Sequence, residues 1–176
     1  MPEPTADLPV CIGALERFPA TLRAALAGVT EAEARHRSPS GAWSIVEIVN
    51  HLADEEVDDF PRRLLLILEN PQQDWPPIDP EGWARERDYQ SRDLAQSLDR
   101  FAHLRAASVE WLRSLQDPDW STTKHDPRGS MSARDMLASW LAHDMLHLRQ
   151  VAKRMWELAE VRTGGGATAY AGPWGA

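Results

Sequence analysis

The chain contains no alternating apolar/polar run of strand length, but four long stretches carry apolar residues at helical spacing. A helix buries only one stripe, so four such stripes are most simply covered by one another. The first stretch spans about residues 8–27, through Leu15, Leu22 and Leu26. Pro19 is expected to kink or split it and Gly28 to stop it. The second spans about 44–70, through Ile45, Ile48, Val49, Leu52 and the block from Leu64 to Leu68. Ser44 with Glu47 three residues on predicts a capping box at its start, and Pro61 predicts a bend. The third spans about 91–116, with Leu94, Leu98, Phe101, Leu104, Leu112 and Leu115 near helical spacing, and Asp117 and Pro118 end it. The fourth opens at Ser132, with Asp135 three residues on, and runs to about 161. A glycine-rich tail follows from Thr163; it is either disordered or packs, through Tyr170, Pro173 and Trp174, on the bundle or across a dimer.

These patterns predict an all-α fold, a four-helix bundle in a single domain over residues 1–176. The connections at about 29–43, 71–90 and 117–131 read as loops, the middle one too rich in proline for helix or central strand. Their length allows long crossovers and an order other than up-down-up-down.

Composition narrows the function classes. A formal net charge of −8 argues against nucleic acid, where affinity comes from neutralising phosphates. No run approaches the roughly 18 apolar residues that cross a bilayer, so no membrane partner is expected. The N-terminal residues lack a basic segment followed by an apolar one, and a cytoplasmic location is the expectation. Cys11 is the single cysteine and reads as a small core residue. Of the eight tryptophans, Trp43, Trp111, Trp140 and Trp156 sit in or beside helical runs and read as core. Trp75, Trp83, Trp120 and Trp174 lie in loop-like stretches, where they could cover the bundle ends, line a pocket or meet a second copy.

The chemistry lies in the fourth stretch. His143 and His147 are four residues apart, which on a helix puts them about 40° apart on one face. They fall on the flank of the stripe formed by Leu137, Leu141, Leu148 and Val151. Such a position is half dry and still reachable, as a metal ligand requires, and it also suits a structural histidine. His51 in the second stretch is the third candidate ligand, amid Glu47, Asp54 and Glu55. A carboxylate or amide beside a ligating imidazole accepts its second N–H and fixes the tautomer. Glu55 and Asp54 near His51 and Gln150 near His147 are the candidates for that role. The alternative is that the acidic run is a solvated face, the reading favoured for Asp58 and Asp59. His36, His103 and His125 lack ligand-like spacing.

Trp43-Ser44 at a helix start, His51 followed by Leu, Ala, Asp, Glu and Glu56, and His143 to Gln150 near the C-terminus occur in this order. Together they resemble the DinB-like (YfiT-type) superfamily over about residues 8–160. The resemblance implies a four-helix bundle with a long crossover, assembled as a homodimer. It implies a divalent metal, zinc or nickel, on three histidines that correspond to His51, His143 and His147. Relatives include bacillithiol S-transferases and the mycothiol-dependent maleylpyruvate isomerase, while others carry only a hydrolase assignment. The leading expectation is therefore a thiol-dependent S-transferase acting on small electrophiles, with a low-molecular-weight thiol as co-substrate. Arg149, Arg154 and Arg63 are candidates for recognising a carboxylate on that thiol. One alternative is a metal-dependent hydrolase of small molecules. Asp144 stands where the H-E-x-x-H pattern has its glutamate, but it is one methylene shorter and points off the histidine face. A second alternative is a non-enzymatic, metal-binding stress-response bundle. No side chain is nominated as catalytic.

Overall fold

The computed structural model describes residues 7–38, 40–126 and 129–174. Helix α1 is Leu8–Ala25, opened by Asp7, whose carboxylate accepts from the Val10 N–H. One turn, α2 (Glu31–Ala34), lies in the first connection. Helices α3 (Ile45–Asp58) and α4 (Phe60–Glu69) follow, then α5 (Pro80–Glu86) and a 3-10 turn at Tyr89–Ser91. Helix α6 is Leu94–Ser114. The strands β1 (Thr123–Asp126) and β2 (Gly129–Ser132) pair antiparallel, Thr123 opposite Ser132, and lead into α7 (Ala133–Arg162). A last 3-10 turn is Ala169–Ala171.

Five sequence expectations need correction. The first connection, read as a loop, holds the turn α2. Of the kink or split expected at Pro19, the split is absent: α1 is continuous across it. The second stretch is two helices, broken at Asp59 where φ is −126° and ψ −93°. Pro61 then falls in the first turn of α4, where its missing N–H has no helical partner to lose. The proline-rich connection holds α5, which begins on Pro80 for the same reason. The third connection contains the β1–β2 hairpin, whose strands THR-LYS-HIS-ASP and GLY-SER-MET-SER carry no apolar alternation by which to read them.

The core falls into two apolar clusters. One gathers Phe18 and Leu22 of α1, Ile45 to Ala53 of α3, Leu94 to Phe101 of α6, and Val151 and Leu158 of α7. The other gathers Ile12 and Leu15, Phe60 to Ile67 of α4, Val109 and Leu112, and Met136 to Trp140. Between them the same helices contribute buried polar residues: His51 to Glu56 less Leu52 and Ala53, Arg105, Asp144 and His147. The order in which each helix visits the clusters gives its direction. Helices α1 and α7 run one way, α3–α4 and α6 the other. Thus α3 and α6 are parallel neighbours, and the chain between α4 and α6 must return the full length of the bundle. This is the long crossover, and α5 lies on it.

Candidate metal centre

Helix α3 is buried on every side from Ile45 to Glu56. Ser44 starts it with a capping box, its hydroxyl accepting from the Glu47 N–H while Glu47 accepts from the Ser44 N–H at 2.9 Å. That start sets the phase of the helix, which carries His51 to the polar waist. Helix α7 starts the same way at Ser132 and Asp135, and brings His143 and His147 to the same level.

The three imidazoles converge through one nitrogen each. His51 Nε2 lies 3.3 Å from His143 Nε2 and 3.1 Å from His147 Nε2, and the last two are 3.0 Å apart. Among the described residues no carboxylate or thiol joins this cluster. Metal–nitrogen bonds of about 2.0–2.1 Å place neighbouring ligand nitrogens about 2.9–3.4 Å apart, from octahedral to tetrahedral angles. The observed triangle lies in that range, so the three residues fit one divalent ion. Burial first, then the charges of His147 and His143, depress the His51 pKa to about 2. Burial and then His147 depress His143 to about 3, and burial depresses His147 to about 4. All three are therefore neutral near pH 7, the form that ligates. Trp43 and Phe60 wall the cluster, their rings each 4.8 Å from those of His51 and His143 respectively.

The neighbours proposed from sequence divide. Gln150 Oε1 accepts from His147 Nδ1–H at 2.9 Å, which leaves the Nε2 lone pair facing the cluster. Glu55 stands 3.5 Å from His51 Nδ1, with burial and then Asp59 raising its pKa to about 9. Asp54 turns away: it accepts from Arg87 and Arg100, each at 2.5 Å, and from the Tyr89 hydroxyl. The acidic run is not a solvated face. Asp59 is itself buried and pairs with Arg63 at 2.6 Å, while Asp58 is half-buried and takes Arg87 at 2.9 Å.

Asp144 is fully engaged elsewhere. Arg105 binds both its oxygens, at 2.6 and 2.8 Å, and also Glu56 at 2.8 Å, and Trp140 Nε1–H donates to Glu56 at 3.0 Å. Burial opposes the charge on Arg105, yet the bond to Asp144 and the charges of Glu56 and Asp144 outweigh it and raise its pKa. The carboxylate in the H-E-x-x-H-like position therefore anchors a buried ion pair and offers no free oxygen to a reaction. Sequence reasoning missed Arg105. The signal was there: it sits four residues from both Phe101 and Val109, on the buried stripe.

Beside the cluster lies a cavity of about 430 Å³, with Trp43, Ile48, Gln150, Arg149, Lys153 and Arg154 among its walls. Of the three arginines singled out from sequence, Arg149 and Arg154 reach it, whereas Arg63 pairs with Asp59 and covers the Trp75 ring at 4.8 Å. His36, His103 and His125 are exposed and stand outside the cluster. No described helix is long and apolar enough to cross a membrane.

A family model described as the DinB superfamily matches residues 14–151. A protein of Geobacillus thermodenitrificans, provisionally named a metal-dependent hydrolase, is 29% identical over 116 residues, 64% of this chain and 63% of its own length. YfiT of Bacillus subtilis, under the same provisional name, is 30% identical over 107 residues, 60% of this chain and 59% of its own. The chain thus matches about three fifths of the length of these curated relatives. The solved structure of Bacillus subtilis YfiT, described as having an unusual four-helix bundle topology, superposes with a TM-score of 0.76 over 94% of both chains. At 22% identity this likeness establishes the fold.

Proposed function

Because the chain belongs to the DinB superfamily, we propose that it is a metal-dependent enzyme of small-molecule chemistry, with a divalent ion on His51, His143 and His147. The convergence of three neutral Nε2 atoms within 3.3 Å of one another carries this reading. Three protein ligands leave coordination positions open, and a divalent ion there lowers the pKa of a ligated water or thiol. Imidazole donors suit zinc and nickel. Gln150 holds His147 in the ligating tautomer, and Trp43 and Phe60 keep the site's flank dry.

Within this reading we place a thiol-dependent S-transferase first. General-base assistance to an attacking water would come most simply from a carboxylate, and among the described residues none is free at the cluster: Asp54, Glu56 and Asp144 are committed to arginines. Glu55 lies on the Nδ1 side of His51, away from the converging nitrogens. A thiol ligated to a divalent ion is ionised without a base. Hydrolysis is the second reading, favoured by the names of two relatives.

Elemental analysis of the purified protein beside His147→Ala tests the metal. About one zinc or nickel per chain is expected in the first and none in the second; equal content in both overturns it. The metal-loaded protein is then offered a panel of low-molecular-weight thiols with monochlorobimane, and in parallel a panel of esters and amides. Metal-dependent conjugation supports the transferase. Metal-dependent hydrolysis without conjugation replaces it with the second reading, and neither activity leaves a bundle that binds metal without turnover.

A further inference from the structure

Arg154 is an unusual wall for a cavity. It is only 9% exposed, and among the described residues its Nη1 has no hydrogen-bond partner. Its Nε and Nη2 face Glu157, at 3.0 and 3.2 Å. The same carboxylate is shared with Lys153, 3.7 Å away, so one anion answers two cations. Arg149 adds a third positive side chain to the cavity wall, and among the described lining residues Glu81 is the single acidic one. The cavity is thus locally positive in a chain whose net charge is −8. A buried guanidinium with an open donor is costly unless something accepts from it, and a carboxylate is the acceptor whose geometry suits the guanidinium fork. The rest of the lining is apolar and aromatic: Trp43, Ile48, Leu146 and Trp174, the last brought back by the C-terminal tail.

Position on α7 links this cavity to the metal centre. Arg154 follows His147 by seven residues, close to two full turns, so both project from the same face about 10 Å apart along the axis. Helical side chains lean toward the N-terminus, which tilts the guanidinium toward the histidines. Gln150 lies between them, touching His147 and lining the cavity.

We propose that the cavity at Arg154 binds the carboxylate of an organic anion, and that this enzyme's substrate or co-substrate is a small carboxylic acid with an apolar body. This subsite rests on the metal-dependent reading for its catalytic meaning, but the binding itself does not need the metal. The guanidinium takes the carboxylate, the two tryptophans flank the apolar body, and the far end of the molecule reaches the three histidines.

The test is calorimetric titration of the full chain, zinc-loaded and metal-free, with 3-phenylpropionate and with its neutral twin 3-phenylpropan-1-ol. The acid is expected to bind the wild type in both forms. Arg154→Met is expected to weaken it at least tenfold while leaving binding of the alcohol unchanged. If Arg154→Met does not fold, Arg154→Lys retains the charge beside Glu157 but lacks the planar guanidinium fork, and is expected to weaken the acid at least threefold. Equal affinity for acid and alcohol, or an acid affinity indifferent to residue 154, overturns the proposal. Zinc content of the Arg154 variants separates the two readings. Normal zinc with no effect on the acid removes the subsite and spares the metal centre. Arg154-dependent binding to a chain that takes up no zinc keeps the subsite and removes the metal.

Discussion

At the scale of the residue, the waist of the bundle holds two kinds of polar group, and they answer to different tests. Gln150 bears on the proposed metal centre through one hydrogen bond, its Oε1 2.9 Å from His147 Nδ1. Gln150→Leu is expected to weaken zinc binding about 10–100-fold, the usual effect of losing such a partner, with little change in melting temperature because the residue is exposed. Competition with a metallochromic chelator measures it, and unaltered zinc affinity would show that the tautomer is set otherwise. Asp144 is the opposite case. Asp144→Ala leaves Arg105, 1% exposed, with half its pairing gone. Removing one partner of a buried pair costs about 3–5 kcal/mol, so urea unfolding should show a loss of that size; a loss under about 1 kcal/mol would mean that Glu56 alone suffices. The sequence showed the metal side of this waist well, because two histidines one turn apart are visible in the letters. It hid the ion-pair side. The partners of Asp54 come from the crossover and from α6, and Arg105 meets carboxylates from two other helices. Only the fold brings such groups together.

At the scale of the element, Pro19 is the instructive position. A proline within a helix removes the N–H that would bond the carbonyl four residues back, here that of Leu15, at a cost of about 3 kcal/mol. In α1 that carbonyl is not left empty: Arg105 Nη1 donates to it at 3.1 Å. The proline and the buried arginine are thus matched across two helices, and α1 runs across Pro19 without the split that the sequence allowed. Pro19→Ala is expected to gain well under the roughly 3 kcal/mol that an ordinary helix interior would return, because the restored N–H competes with Arg105 for the same oxygen. Urea denaturation of the variant measures the gain, and a full return would show that the arginine contributes nothing at this carbonyl. Element starts were easier to read than interiors. Ser44 and Ser132 each form the capping box their spacing announces, because both halves of that signal lie within four residues. The hairpin could not be read in this way. Its strands are four residues each and polar, and Lys124, buried on β1, is held by the Gln73 carbonyl at 2.8 Å from a distant connection.

At the scale of the whole molecule, three neutral histidines in the waist couple stability to pH. In the metal-free chain His51, His143 and His147 titrate at about 2, 3 and 4, against 6.5 for an unconstrained imidazole. Below pH 6.5 the unfolded chain therefore takes up protons that the folded chain refuses. The histidines' contribution is intact above that value and declines as the pH falls, until the folded imidazoles begin to titrate near pH 4, His147 first. Glu55 works the other way. Its carboxyl, raised from 4.5 to about 9, keeps a proton in the fold that the unfolded chain gives up, which offsets one of the three histidines. For these four groups the balance is roughly 2–3 kcal/mol lost per pH unit between pH 6 and 5, and Asp144, whose carboxyl pKa is also raised by burial, offsets part of it. Direction of the chain matters to this outcome. The waist exists because α3 and α7 run oppositely and cross at the level of their histidines, an arrangement that depends on the long return between α4 and α6. The sequence shows that return only as a proline-rich connection of sufficient length. Zinc bound to the native waist alone, as proposed, would add stability by mass action, about 2.7 kcal/mol at a hundredfold excess over its dissociation constant. Protons compete for the same nitrogens, so this increment should itself shrink as the pH falls. Urea titrations at pH 7, 6 and 5, in chelator and in excess zinc, measure both effects. Two results would contradict the waist as a coupled site: a metal-free stability that is level from pH 7 to 5, or a zinc increment that does not diminish with acid.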